Sequence, residues 1–390
     1  MTSRNAALVH DYLLVMRGAE RSFAAMTECW PDAPIFTLLH DREAINGRFS
    51  HRAVKTSYLD RLRIRQSGFR RLLPLFPHAV ERLPLEDYDL VVSSTSAFAH
   101  GVRAREDAVH VAYCYTPFRY AWHQSERERA LRSFPTPVRP VIRHSLSRIR
   151  KWDLEASRRV THYVAISELT RERIRRFYDR DASIIHPPVD VDRFSLGEPG
   201  NYFLVVTEIL PHKRVQNALE AARRAKLPIK VVGGGPDLTR LTREYAHSAE
   251  FLGRLSDEAL ADVYRGARAL VLPNVEEFGI AAVEAQSAGH PVLAADAGGA
   301  KETVVPGVTG ERVPPDDVGA LAEAMREIDW DGFDQRRIRE HAMRFSREEF
   351  KRRFTEEVER VINGRFSASP QGDICLRQKE PVRSSEAPRY

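Results

Sequence analysis

Short apolar, β-rich runs alternate with helix-period segments along most of this chain, and the whole pattern occurs twice. In the first pass, 5–10, 35–39, 90–93, 109–115, 162–166 and 184–186 read as strands, while 18–30, 141–160 and 168–178 carry apolar residues at helical spacing. In the second, 202–207, 229–232, 251–252, 269–272 and 291–294 read as strands, and 216–225, 259–267, 278–288 and 318–328 as helices. Strands that alternate with helices require parallel sheets with helices on both faces. Two such blocks predict an α/β protein of two Rossmann-like domains. The stretch 187–200, rich in Pro, Asp and Gly and without periodicity, is read as the link between them.

A length of 390 residues leaves room for two or three domains of roughly 100–200 residues. The expected divisions are a first domain over 1–195, a second over 196–345, a closing helix over 346–366 and a disordered tail over 367–390, where Pro, Ser, Arg and Glu dominate. No apolar run approaches the ~20 residues of a membrane span, and the N-terminus lacks the apolar core of a signal peptide. Cys29, Cys114 and Cys375 are odd in number and widely spaced, so thiols in a reducing cytoplasm are expected rather than a disulfide or a zinc site.

Charge is unevenly spread. The net charge is +6, but residues 1–195 carry +9 and the remainder −3. Two stretches concentrate the basic residues. One holds Arg61, Arg63, Arg65, Arg70, Arg71 and Arg82 among Leu62, Ile64, Phe69, Leu72, Leu73, Leu75 and Phe76; the other is 139–159. Basic stretches interleaved with apolar side chains suit an anionic membrane surface, so peripheral contact with the inner membrane face is expected. A solvated helix face would show the same composition. The chain carries no base-stacking or helix-turn-helix signature, and nucleic acid is not an expected partner.

In open parallel sheets, ligands bind beyond the carboxyl ends of the strands, so the loops that follow strands carry the motifs of interest. After the run 269–272 comes Pro273-Asn274-Val275-Glu276-Glu277-Phe278-Gly279-Ile280, opening a helix that reaches Glu284. Glu276 and Glu284 lie eight residues apart, about 12 Å along a helix, a span that suits the two ends of a sugar nucleotide. The N–H groups of Phe278, Gly279 and Ile280 at the helix start suit its diphosphate, and Gly279 permits close approach of backbone to ligand. The spacing alone fits equally well an ordinary helix with an acidic start. After the first run of the second block comes Thr207-Glu208-Ile209-Leu210-Pro211-His212-Lys213-Arg214. Lys213 is the cation placed to neutralise a leaving diphosphate.

These residues, with Ala285-Gln286-Ser287-Ala288-Gly289-His290-Pro291-Val292 and Gly298-Gly299-Ala300-Lys301-Glu302-Thr303-Val304, resemble the retaining glycosyltransferases of family 4. Those enzymes have the GT-B fold, two Rossmann-like domains whose parallel sheets face a central cleft. The resemblance covers roughly residues 5–345. It implies that Glu284 binds the nucleotide ribose, that Glu276 contacts hydroxyls of the donor sugar, and that Gly234 in Gly233-Gly234-Gly235 and Arg254 lie beside the nucleotide. Arg17-Gly18-Ala19-Glu20 resembles the family's Gly-Gly-Ala-Glu loop, with Arg17 in place of the first Gly and Gly18 close to the diphosphate. His10 and Asp11 are expected on the acceptor side, and Ser167 near the cleft.

Besides Arg17, two positions depart from the family pattern. Glu208 stands where the family has Arg, which leaves Arg214 as a candidate substitute at the phosphates. Tyr115 stands where it has a cleft His; a Tyr can hydrogen-bond a sugar, but it cannot become cationic near neutral pH. Tyr113–Trp122 and His186–Asp190 resemble segments of bacterial polysaccharide mannosyltransferases. That resemblance implies GDP-mannose as donor. The membrane contact expected of the basic stretches goes with a polyprenyl-diphosphate-linked saccharide as acceptor, and no metal or other cofactor is expected. A UDP-sugar donor such as UDP-glucose is the alternative within the class. A non-catalytic sugar-nucleotide binder is the alternative that Glu208 and Tyr115 keep open.

Overall fold

The computed structural model describes residues 5–64, 68–132 and 134–367; the tail expected at 367–390 lies outside them except for its first residue, as do Arg65 and Cys375. Seven parallel strands form the first sheet: β1 (Ala6–His10), β2 (Ile35–Thr37), β3 (Val54–Thr56), β4 (Leu90–Thr95), β5 (Val109–Cys114), β6 (His162–Ala165) and β7 (Ala182–Ile184), in the order β3-β2-β1-β4-β5-β6-β7. Six form the second: β8 (Tyr202–Val206), β9 (Ile229–Val232), β10 (Glu250–Gly253), β11 (Ala267–Leu272), β12 (Val292–Ala295) and β13 (Gly310–Val313), in the order β10-β9-β8-β11-β12-β13. The connection from β7 to β8 includes a single turn of 3₁₀ helix at Val191–Arg193.

Both faces of each sheet are buried. Leu8 packs with Ile35, Val92 and Val111 on one face of the first sheet, while Ala7 and Val9 pack with Phe36 and Val91 on the other. The second sheet alternates in the same way, Phe203 and Val205 on one face and Leu204 on the other. The edge strands β3 and β13 did not stand out in the sequence. Each has three or four residues, half-exposed, with Lys55 in one and Glu311 and Arg312 in the other. An edge strand meets water and needs no continuous apolar run.

The segment at 346–366 is helical, Arg347–Ser367, and crosses back onto the first domain. Phe350, Phe354, Val358 and Ile362, one every four residues, share a core with Phe23, Met26 and Leu8. Burial of such side chains is worth roughly 1.5–3 kcal/mol each before entropy is counted.

In the first sheet the strand order reverses beside β1 and β4; in the second it reverses beside β8 and β11. Loops that leave a parallel sheet on either side of such a point diverge and open a crevice. The four loops concerned are those after His10, Thr95, Val206 and Leu272. Three of them carry the motifs singled out from sequence.

Candidate functional site

On the second-domain side, the loop after β11 and the loop after β8 meet through one ion pair. Lys213 Nζ lies 2.7 and 2.8 Å from the two oxygens of Glu276, and Asn274 Nδ2 donates to the same carboxylate at 3.0 Å. Gly279 has φ +93° and starts the helix Ile280–Ser287. A side chain there would be strained, so the glycine answers a backbone requirement. The Phe278 ring is buried against His186 and Phe345, with ring centroids 5.3 and 5.4 Å away. Only its backbone is left for a ligand.

Glu284 lies one turn into that helix. It accepts a hydrogen bond from the Tyr264 hydroxyl at 2.8 Å and an ion pair from Arg193 at 3.2 Å. Burial raises its pKa above the usual carboxylate range, with Arg193 and the Tyr264 hydroxyl partly offsetting that. A carboxylate offers about four lone-pair sites, so two ribose hydroxyls can still be accepted beside these partners. Arg193 also reaches Asp257 at 3.1 Å, which in turn pairs with Arg21 of the first domain at 3.0 Å.

Arg214 does not join this group. Its backbone is left-handed, at φ +52°, and its Nε pairs with Asp316 at 3.1 Å. The guanidinium is thereby drawn to the acidic loop after β13, and the expectation that Arg214 replaces the missing cation at Glu208 is not met in this geometry. Arg254 is exposed, and its Nε would lie 3.1 Å from a Cβ at Gly234, so the two sit together as the resemblance implies.

On the first-domain side, Gly18 starts the helix Gly18–Cys29, and a Cβ there would lie 2.9 Å from Ile280 Cδ1. The two helix starts therefore meet across the cleft. Tyr115 is 9% exposed; its hydroxyl donates to the Ala19 carbonyl at 2.9 Å and lies 2.9 Å from Ser94 Oγ. Burial pushes the phenol well above its usual pKa. The geometry makes Tyr115 a brace beneath the Gly18 loop, with its hydroxyl already engaged, rather than a free group aimed at substrate.

Asp11 also departs from expectation. Its carboxylate is buried and accepts from Ser96 N (2.6 Å), Ser96 Oγ (3.1 Å), Phe98 N (2.7 Å) and Ala99 N (2.6 Å). With four donors it holds the loop after β4 and does not face an acceptor. His10 stacks on Phe23 and bonds Ser94 through Nδ1 at 3.0 Å. Ser167 is buried as the cap of the helix Glu168–Tyr178, accepting from Thr170 N at 3.3 Å.

Several ion pairs that the motifs did not predict cross the cleft. Glu277 accepts Arg173 at 2.7 Å and Arg119 at 2.9 Å, both from the first domain, and Arg173 also bonds Thr116. Burial alone would raise the Glu277 pKa; the charges of Arg119, Arg173 and Lys213 outweigh it and hold the carboxyl at about 2. Arg17 pairs with Glu208 at 3.1 Å. Glu302 accepts the Glu168 backbone N–H at 3.0 Å and pairs with His186 at 2.8 Å. A groove of about 1010 Å³ lies beside His186 and Glu302, lined also by Glu340, Arg344, Phe345 and Glu349. Glu276, Glu284 and Lys213 do not line it.

Residues 16–193 match the family described as Glycosyltransferase Family 4, and residues 189–345 match Glycosyl transferases group 1. The chain is 35% identical over 191 residues to a D-inositol 3-phosphate glycosyltransferase of Mycolicibacterium smegmatis, covering 42% of this chain and 44% of that protein. A protein of the same description from Gordonia bronchialis is 36% identical over 185 residues, 41% of this chain and 40% of its own. The match thus spans less than half the length of these curated relatives. Among solved structures, Anabaena HepE in complex with UDP superposes with a TM-score of 0.65 at 15% identity, over 91% of this chain and 100% of that one. Sucrose-phosphate synthase of Thermosynechococcus elongatus gives 0.67 at 18%, over 94% and 100%. Two consecutive glycosyltransferase family domains, described as Glycosyltransferase Family 4 and Glycosyl transferases group 1, thus span residues 16–345 on two Rossmann-like folds of GT-B type.

Proposed function

We propose that the protein is a retaining hexosyltransferase that moves a sugar from a nucleoside-diphosphate donor, GDP-mannose, to a polyprenyl-diphosphate-linked saccharide in cell-surface polysaccharide assembly. The observation that carries the transferase reading is the Lys213–Glu276 pair, set between two loops at the point where the strand order reverses. In this reading Glu284 accepts the ribose hydroxyls and Glu276 accepts hydroxyls of the sugar. Lys213 exchanges Glu276 for the diphosphate as the bond from the anomeric carbon to the phosphate oxygen breaks. The acceptor hydroxyl oxygen forms the new bond on the same face, and its proton passes to the departing diphosphate. Lys213 supplies the charge stabilisation, so no metal is required; the protein contributes positioning and charge rather than a nucleophile.

The mannose donor is inferred from the Tyr113–Trp122 and His186–Asp190 resemblance. A UDP-sugar is the second reading, favoured by neighbours of the same fold solved with UDP and UDP-glucose. Thermal-shift measurements without added metal against GDP, UDP, GDP-mannose and UDP-glucose separate them, because a ligand that binds only the folded state raises the midpoint. A GDP-selective shift supports the mannosyl reading. A UDP-selective shift moves the donor to the second. Nucleotide binding without transfer to any acceptor or donor hydrolysis would overturn the enzyme reading in favour of a binding protein.

A membrane-bound acceptor draws support from the side chains that the two basic stretches of the first domain leave exposed. The two basic stretches expose Leu62 (55%), Leu75, Val138 and Val141 (65%) along with Arg61, Arg63, Arg71, Arg143 and Arg148. Leu72, Leu73 and Phe76 of the same basic stretch are instead core. Among the described residues no helix is long and apolar enough to cross a membrane.

A further inference from the structure

Arg17 and Glu208 face each other across the cleft from positions 191 residues apart, with Arg17 Nη2 3.1 Å from Glu208 Oε1. Both are partly open to solvent, at 49% and 34% side-chain exposure, so the cation can be reached from the cleft. The backbone on either side of Glu208 is fixed: Thr207 N donates to Val232 O at 3.1 Å and Ile209 N to Gly234 O at 2.9 Å. Its carboxylate is thereby held between the glycine loop after β9, expected beside the nucleotide, and the Lys213 segment, expected at the donor diphosphate. A lone carboxylate there would repel two phosphates. The cations of its own domain do not neutralise it, since Lys213 holds Glu276 and Arg214 holds Asp316. The base of Arg17 is fixed as well, because its backbone N–H donates to Glu20 at 2.9 Å. Its long side chain can therefore swing without disturbing the loop.

We propose, resting on the transferase reading above, that Arg17 is a binding residue for the donor diphosphate, held on Glu208 until the donor enters and then turned to the phosphate oxygens. The first domain thereby delivers the guanidinium that the second lacks at position 208. An Arg fork suits this exchange, because it meets carboxylate and phosphate with the same bidentate geometry.

The test is calorimetric titration of the full chain, without added metal, with UDP and GDP at several salt concentrations. The proteins compared are the unaltered protein, Arg17→Ala, Arg17→Lys and Glu208→Ala, with melting curves as the check on folding. The expected result is a 10- to 100-fold loss of affinity for the preferred diphosphate in Arg17→Ala, a flatter salt dependence, and partial recovery in Arg17→Lys. Glu208→Ala is expected to bind at least as tightly as the unaltered protein, because the cation is no longer held back. Unchanged affinity in Arg17→Ala overturns the proposal while leaving the transferase reading intact. So does a loss in Glu208→Ala as large as that in Arg17→Ala, which would make the pair a strut between domains. Absence of binding of either diphosphate by the unaltered protein overturns both.

Discussion

Glu277 of the second domain accepts the Arg173 guanidinium of the first at 2.7 Å, with Arg119 on its other side at 2.9 Å. Its neighbours in sequence are Glu276, which holds Lys213, and Phe278, which packs on His186. Closure of the domains and placement of the candidate donor loop are therefore tied through one partly buried carboxylate. Removing one member of a fully buried pair typically costs about 3–5 kcal/mol; with side chains 20–41% exposed, the cost here is expected below that range. Glu277→Gln keeps the shape and loses the charge. It is expected to lower the melting temperature and to speed amide exchange at 273–280 and 116–122. Unchanged exchange in both segments would mean that the domains are held by other contacts.

The same carboxylate sets an acid sensitivity. Its pKa lies at about 2 in the folded protein, against ~4.3 for an unfolded Glu. Between those values the unfolded chain binds more protons, so stability rises with pH across the window. The contribution, about 3 kcal/mol, is fully present above pH ~5 and lost as pH falls through 4 toward 2. Glu284 acts in the opposite sense, because its folded pKa is raised, and ionising it costs stability as pH rises above its unfolded value. Urea unfolding from pH 3 to 7 is expected to show a gap between the unaltered protein and Glu277→Gln that narrows steadily toward pH 3. A gap independent of pH would show that the ion pairs are not its source.

Why some of this was legible in the sequence and some was not follows from distance along the chain. Glu276, Gly279 and Glu284 lie within nine residues after one buried strand, so their spacing and their place on a helix could be read directly. The apolar runs of β1, β4, β8 and β11 were readable because both faces of each sheet are covered. Glu277 was not readable: its partner Arg173 is 104 residues away and looks, in sequence, like any charge on an amphipathic helix. Asp11 follows a strand end as a ligand-facing acid would, but the turn at 96–99 supplies four donors that draw it inward. Only the fold could show which way the carboxylate turns.

Lys213 and Glu276 neutralise each other before a donor arrives, so each has a separable part. Lys213→Ala removes the charge facing the leaving diphosphate, and its kcat is expected to fall by about 10²–10³-fold, the usual scale for removing one group that stabilises developing charge. Glu276→Gln keeps a hydrogen-bonding group but not an acceptor-only one. It is expected to lose kcat with a smaller change in nucleotide affinity, because its hydroxyl contacts are to the sugar. Steady-state kinetics and nucleotide titration on the same preparations separate the two. Full turnover in both variants would remove the pair from the chemistry.

Gly299 offers a test that touches no charge. Its N–H donates to the Glu276 carbonyl at 2.9 Å, and a Cβ at this position would lie 2.2–2.5 Å from the Phe278 backbone. Neither main chain can yield without moving the segment that carries Glu276. Gly299→Ala is therefore expected to destabilise the protein by about 1–3 kcal/mol, the usual cost of overpacking, and to lower activity at temperatures where it remains folded. Catalysis unaffected at 20 °C would indicate that the loop tolerates displacement.

The proposed membrane face makes two demands that a merely solvated surface does not. Apolar side chains must enter the lipid, and arginines must meet anionic headgroups. Leu62, Leu75, Val138 and Val141 supply the first, and Arg61, Arg63, Arg71, Arg143 and Arg148 the second. Each basic residue near such a surface is worth about 1 kcal/mol, and the attraction fades beyond a Debye length of ~8–10 Å at moderate salt. Sedimentation with vesicles of phosphatidylglycerol is expected to capture the protein, with affinity falling as salt rises, whereas neutral phosphatidylcholine vesicles capture little. Leu62→Ser combined with Val141→Ser changes exposed positions only and is expected to weaken capture while leaving nucleotide affinity unchanged. Equal capture by both vesicle types, or none by either, would assign these arginines to solvent and leave the acceptor without a membrane-facing entry on this side.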